Sequence, residues 1–181
     1  MAGLVRTHYD RSMRTSLLLA VLAGCGVTDF DLTQPVPEQF VRGSGIPAPI
    51  ASLFPIPLDL DLSAEIQKQT TGPIDSVTLS RLELEITDTD RPAGDTDTWD
   101  FVDEIHVFVR SSADGSTLPR VEIASATAPG AVTTLTFDVD SSVDLKPYVD
   151  EGSVVDSEAS GTVPQDDVSY DGEGVFTVHP L

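Results

Sequence analysis

After Pro57 the apolar and polar residues alternate with a period of two. Leu58, Leu60, Leu62, Ala64 and Ile66 interleave with Asp59, Asp61, Ser63, Glu65 and Gln67. That spacing predicts a half-buried strand with one apolar and one charged face. A second strand is predicted from Val77 to Ile86, where Val77 and Leu79 hand over to Leu82, Leu84 and Ile86. Parity slips there at Ser80-Arg81, as a β-bulge requires. Phe101 to Arg110 sets Ile105, Val107 and Val109 against Glu104, His106, Phe108 and Arg110. Asp114-Gly115 then supplies a hairpin turn that needs positive φ. Val121 and Ile123 mark the next strand, and Pro129-Gly130 a type II turn into Thr133–Asp140. Ser153–Val163 and Val168–Val178 complete the series, the last interrupted near Asp171-Gly172. Between them Asp144 can cap one helical turn that carries Pro147 at its start.

About seven strands with turns at short intervals, and at most one short helical turn, define an all-β chain. An antiparallel β-sandwich over residues 58–181 is the expected fold. It is immunoglobulin-like in size only, since the paired cysteines are missing and Trp99 falls outside the strand pattern. A transmembrane barrel is disfavoured because the strands lack aromatic girdles.

The first 57 residues follow a different pattern. Pro35, Pro37, Pro47, Pro49, Pro55 and Pro57, with Gly43 and Gly45, argue against a long helix or central strand over 26–57. A tether is the expectation, with 26–36 as its free leash. Phe30, Phe40, Val41, Ile46, Ile50, Leu53 and Phe54 would press part of it onto the domain. Upstream, Arg6, Arg11 and Arg14 precede an apolar core, Ser16–Leu22, and the small pair Ala23-Gly24. These are the parts of a secretory signal, with Met13 offering a second translation start. Only 14 uncharged residues separate Arg14 from Asp29. As a helix they would cover about 21 Å, short of the roughly 30 Å hydrocarbon core.

Leu22-Ala23-Gly24-Cys25 closes that apolar run, and it resembles the lipobox of bacterial lipoproteins at all four positions. The resemblance covers the signal and Cys25 alone. It implies removal of residues 1–24, acylation of Cys25 and a chain held at a membrane outside the cytosol. Gly26 follows where an aspartate would favour inner-membrane retention in enteric-type bacteria, so the implied destination is the outer membrane. Cys25 is the sole cysteine. The exported domain therefore has no internal disulfide, and its core has to hold it together.

Charge narrows the partners. Without Arg6, Arg11, Arg14 and Asp10, seven basic and 29 acidic residues remain, a net charge of −22. Such a surface repels nucleic acid and attracts cations or basic partners. Seven of the acids fall in one stretch: Asp88, Asp90, Asp95, Asp97, Asp100, Asp103 and Glu104. Converging loop carboxylates suit a hard cation such as Ca²⁺, and the six aspartates are the candidate ligands. The spacing does not fit an EF-hand, because Trp99 and Asp100 stand where the third ligand and the glycine belong. A solvated acidic loop is the plainer reading. Trp99 and Phe101 are candidates for an exposed binding platform, or for a plug at the end of the core.

Nothing marks a catalytic centre. No serine carries a nucleophile-elbow sequence, and His106 and His179 are too few to suggest zinc. The expected function is therefore that of a lipid-anchored envelope protein with a non-catalytic binding, adhesive or structural role. The alternative is a calcium-dependent module recognising glycan or protein through residues 88–104, and an envelope hydrolase is a third.

Overall fold

The computed structural model describes residues 28–44, 56–58, 62–69, 72–89 and 97–181. Among the described residues eight strands form two four-stranded antiparallel sheets packed as a β-sandwich. The first sheet has the order β1 (Phe30–Val41), β8 (Val168–Pro180), β2 (Ile74–Thr87), β5 (Thr134–Thr136). The second has the order β6 (Asp138–Val139), β4 (Val121–Thr127), β3 (Val102–Ser111), β7 (Ser153–Gly161). Inward positions of both sheets meet in one core, in which Leu79, Leu82, Leu84, Ile105, Val107, Ile123 and Phe176 are among the most deeply buried.

The parity slip at Ser80 is a real bulge. Leu79 faces Phe176 and Arg81 faces Val175, so Ser80 is the extra residue. Its hydroxyl donates to the Val175 carbonyl at 2.9 Å. This extra residue lets Val77 and Leu79 on one side, and Leu82 and Leu84 on the other, all point inward. Gly115 and Gly130 take positive φ, +79° and +72°, as their turns require. Residues 133–140 divide between the sheets: β5 pairs with β2, and β6 pairs with β4. Phe137, at the crossing, is buried, and its N–H donates to the Leu82 carbonyl at 3.1 Å. This crossing closes one flank of the sandwich.

Four expectations are corrected. Phe30–Val41 is a strand and not a leash, because at the sheet edge Pro35 and Pro37 have no second neighbour to whom an N–H is owed. The register breaks between Val36 and Gln39, beside the second proline. Second, the run from Leu58 does not continue as a strand: Ser63–Gln69 is a helix, α1. Leu62 and Ile66, four apart, satisfy a helical period as well as a period of two, and Ala64, Glu65, Gln67 and Lys68 favour the helix. Ile56, Leu58 and Leu62 are buried within the core. A Cβ on Gly174 would lie 2.9 Å from Leu58 Cδ2, so that glycine leaves room for the leucine.

Third, β8 runs unbroken through Asp171-Gly172. Gly172 serves close approach: a Cβ there would lie 2.2 Å from the Glu83 carbonyl oxygen. Fourth, the helical content exceeds one turn. Besides α1 there are a 3-10 turn, Trp99–Phe101, and α2, Lys146–Glu151. The Asp144 carboxylate, one residue before the N-cap Leu145, accepts the Lys146 N–H at 2.9 Å and the Val77 N–H at 3.1 Å, tying the start of α2 to β2.

Gly172→Ala should destabilise the fold by about 2–3 kcal/mol through overpacking between β8 and β2. Urea unfolding should show a lower midpoint at unchanged slope. A midpoint equal to wild type would mean that the strands separate freely.

Candidate functional site

Strand directions place the acidic segment at one end of the sandwich. Asp88 follows β2, Asp97 and Asp100 flank or join the 3-10 turn, and Asp103 and Glu104 open β3. Asp90 and Asp95, like Cys25, lie outside the described residues. The described aspartates do not converge. Asp88 lines an open hollow of about 520 Å³ with Glu38, Phe40 and Asp167. Asp97 and Asp100 line another, of about 420 Å³, with Thr162, Gln165 and Asp166. Asp103 lines neither of these two hollows. Among the described residues no group of three or more His, Cys, Asp or Glu is placed to hold a metal ion.

Trp99 and Phe101 are buried, which corrects the platform reading. The indole stacks on Phe101 at 5.9 Å and meets Tyr170 edge-on at 5.3 Å. Its Nε1–H donates to the Thr133 carbonyl at 3.0 Å, and its backbone N–H to the Val132 carbonyl at 2.9 Å. The ring is a plug that fastens the loops at this end to the core. Burial pushes the Tyr170 phenol well above its ordinary pKa.

The exposed aromatic here is Phe40, at 54 % exposure, with Val132 at 42 % near the same end. Nothing in the sequence singled out Phe40 as the exposed ring. Its position one residue before buried Val41 on an alternating strand is the signal that could have done so. Gly43 and Ser44 hold the chain beyond it, through the Asp167 carboxylate at 3.0 Å and the Pro164 carbonyl at 3.2 Å.

A second cluster covers the outer face of β3, β4 and β7. His106 lies between Glu122, 3.2 Å away, and Glu104, 3.7 Å away. Arg120 sits 3.5 Å above the Phe108 ring and pairs with Asp156 and with Glu158, the latter at 2.8 Å. The Asp156 carboxylate holds the Arg120 guanidinium above its ordinary pKa. Arg110 joins through Asp156 at 3.2 Å. These solvent-facing pairs contribute little stability each.

No family model matches the chain, and no curated protein matches it. Among solved structures it is similar to crystal structures of the BFDV capsid protein. The 60-mer form has a TM-score of 0.37 at 11 % identity, over 83 % of this chain and 92 % of that one. The decameric form has a TM-score of 0.33 at 10 % identity, over 83 % and 98 %. A likeness this remote carries no information on what this chain binds or assembles with.

Three outcomes follow from this geometry. Trp99 is the sole tryptophan, so native emission should be blue-shifted and resist acrylamide, reddening only on unfolding. Above about pH 10 the unfolded chain releases its tyrosine protons while Tyr170 in the folded chain retains its own. Stability should therefore fall as pH rises past that value, and Tyr170→Phe should flatten the decline. Calcium added after chelation should leave the melting midpoint unchanged. A rise of about 5 °C or more, the effect of saturating a site on a domain this size, would restore the calcium reading.

Proposed function

We propose that this chain is a lipid-anchored protein of the cell envelope, held through acyl chains on Cys25 and serving a non-catalytic binding, adhesive or structural role. The observation that carries this reading is Leu22-Ala23-Gly24-Cys25 at the end of an apolar run behind three arginines. One acyl chain holds a protein only marginally, at ~0.8 kcal/mol per buried CH₂, whereas two or three make a lasting anchor. Gly26 in place of an aspartate supports the outer membrane as the destination. The described domain supports a binding or structural role over chemistry. Its hollows are open and acidic, and its buried rings serve the core.

A second reading, a surface module that recognises glycan or protein, draws support from exposed Phe40 beside the hollow of Glu38, Asp88 and Asp167. An aromatic ring rimmed by carboxylates suits a partner with apolar and cationic groups.

Cells grown with labelled palmitate should yield labelled protein that partitions into detergent. Cys25→Ala should lose both the label and the partitioning. Wild-type protein without label, or a variant that still partitions into detergent, would overturn the anchored reading.

A further inference from the structure

Two aspartate-glycine pairs occur in the chain, Asp114-Gly115 and Asp171-Gly172, and the fold places them in opposite settings. The pair is chemically distinctive. When the aspartic side chain is protonated, the next backbone nitrogen can attack its carbonyl carbon, closing a five-membered succinimide and releasing water. Water then reopens the imide at either carbonyl. Attack at the side-chain carbonyl returns aspartate. Attack at the main-chain carbonyl leaves isoaspartate, in which the backbone runs through the former side chain. The two steps together neither add nor remove atoms, and they require no oxidant or cofactor. Glycine favours the closure, because it has no Cβ to crowd the approach and leaves the backbone free to turn.

Asp114-Gly115 has that freedom. Both residues are exposed, in the turn between β3 and β4. Gly115 takes φ +79°, and a Cβ placed on it would meet nothing within 4 Å. The turn is held from either side of the pair. The Ser116 N–H donates to the Ala113 carbonyl at 3.2 Å, and the Ala113 N–H to Ser111 Oγ at 3.1 Å. The Ser111 and Ser116 hydroxyls donate to Glu151 of α2 at 2.9 and 2.6 Å. These bonds fix the flanks and use no group of Asp114 or Gly115.

Asp171-Gly172 is the internal control. Asp171 is also exposed, so solvent access does not separate the two pairs. The backbone does. Gly172 pairs with Val36 on one side and Leu84 on the other, and a Cβ on it would lie 2.2 Å from the Glu83 carbonyl oxygen. The sheet holds ψ extended there, and the imide cannot close until that stretch of β8 lets go. A central strand opens at a cost approaching that of unfolding, which lowers the reactive fraction at 171 by roughly 10³-fold or more.

The three aspartate-serine pairs, the next most permissive sequence, are restrained as well. Asp75 lies in β2, and Asp156 lies in β7, paired with Arg110 and Arg120. Asp140 accepts the Ser142 hydroxyl at 2.5 Å and its N–H at 3.0 Å, which hold the carboxyl below its ordinary pKa. An ionised carboxylate is a poor electrophile. The chain contains no asparagine, so deamidation supplies no succinimide.

We propose that Asp114-Gly115 is a site of spontaneous modification, where the folded protein converts aspartate through a succinimide to isoaspartate. The product lengthens the main chain by one methylene inside the turn that Ser116 and Ala113 close. The turn then no longer fits that bond, and the tip of the β3–β4 hairpin loosens from α2. The chemistry does not depend on how the chain is anchored.

The test ages the full chain, folded, in warm neutral buffer for several weeks, beside a sample kept unfolded in guanidinium. Isoaspartate is read in two ways. Protein isoaspartyl methyltransferase transfers label to it from S-adenosylmethionine, and endoproteinase Asp-N cuts before aspartate and not before isoaspartate. In the folded sample, cleavage before residue 114 should be progressively lost and label should accumulate there, with cleavage before 171 intact. In the unfolded sample both sites should lose cleavage together. Asp114→Glu, whose longer side chain closes a less favourable ring, should remove most of the label from the folded protein. Cleavage before 114 that persists in the folded sample, whether or not the unfolded one reacts, overturns the proposal. So does equal loss at 114 and 171 in the folded sample, or label that maps chiefly to another aspartate. Should Asp114→Glu fold poorly, the comparison of 114 with 171 within the wild-type chain decides alone.

Discussion

Strand β8 carries hydrogen bonds on both flanks along nearly its whole length, to β1 on one side and to β2 on the other. The remainder of the first sheet depends on it. Tyr170, Phe176 and Val178 project from it into the core, and Gly172 and Gly174 remove side chains where β2 and Leu58 approach most closely. With its single cysteine at position 25, the domain has no crosslink to share this load. Burial has to stabilise the fold unaided, and at about 25 cal/mol per Å² the contiguous apolar interior is the dominant favourable contribution.

Much of the architecture was legible where one physical constraint acted alone. The bulge at Ser80 showed as a change of parity, because leucines on both sides of it must reach the same core. Asp144 was legible as an acceptor at the start of α2, because a carboxylate before Leu-Lys-Pro has an orphan N–H to accept. Elements were misjudged where two constraints competed. Proline forbids a central strand but not an edge strand, and position in the sheet cannot be seen from local sequence. Leu62 and Ile66 are compatible with both periods, and propensity decided between them. Glycine at 172 reads locally as a break, yet it is what admits the neighbouring backbone.

The end of the sandwich was legible only in outline. Its acidity could be counted, but whether carboxylates converge depends on how three separate chain segments are docked. They separate into two hollows, one beside β1 and one beside the 3-10 turn. Trp99 offered two readings from sequence, an open ring or a plug, and its bonds to Thr133 and Val132 decide for the plug. Phe40 became visible as the exposed ring only once Pro35 and Pro37 were known to sit in a strand.

The pairing of Phe30 with Val178 joins the first described strand to the last. During synthesis the N-terminus emerges first, so β1 and β2 leave the ribosome well before the strand that belongs between them. The first sheet has no centre until β8, Val168–Pro180, has been made. Its nucleation is therefore governed by long-range closure, the slow class of folding event. Until then β1 and β2 each lack the partner they share, and the first sheet stays open.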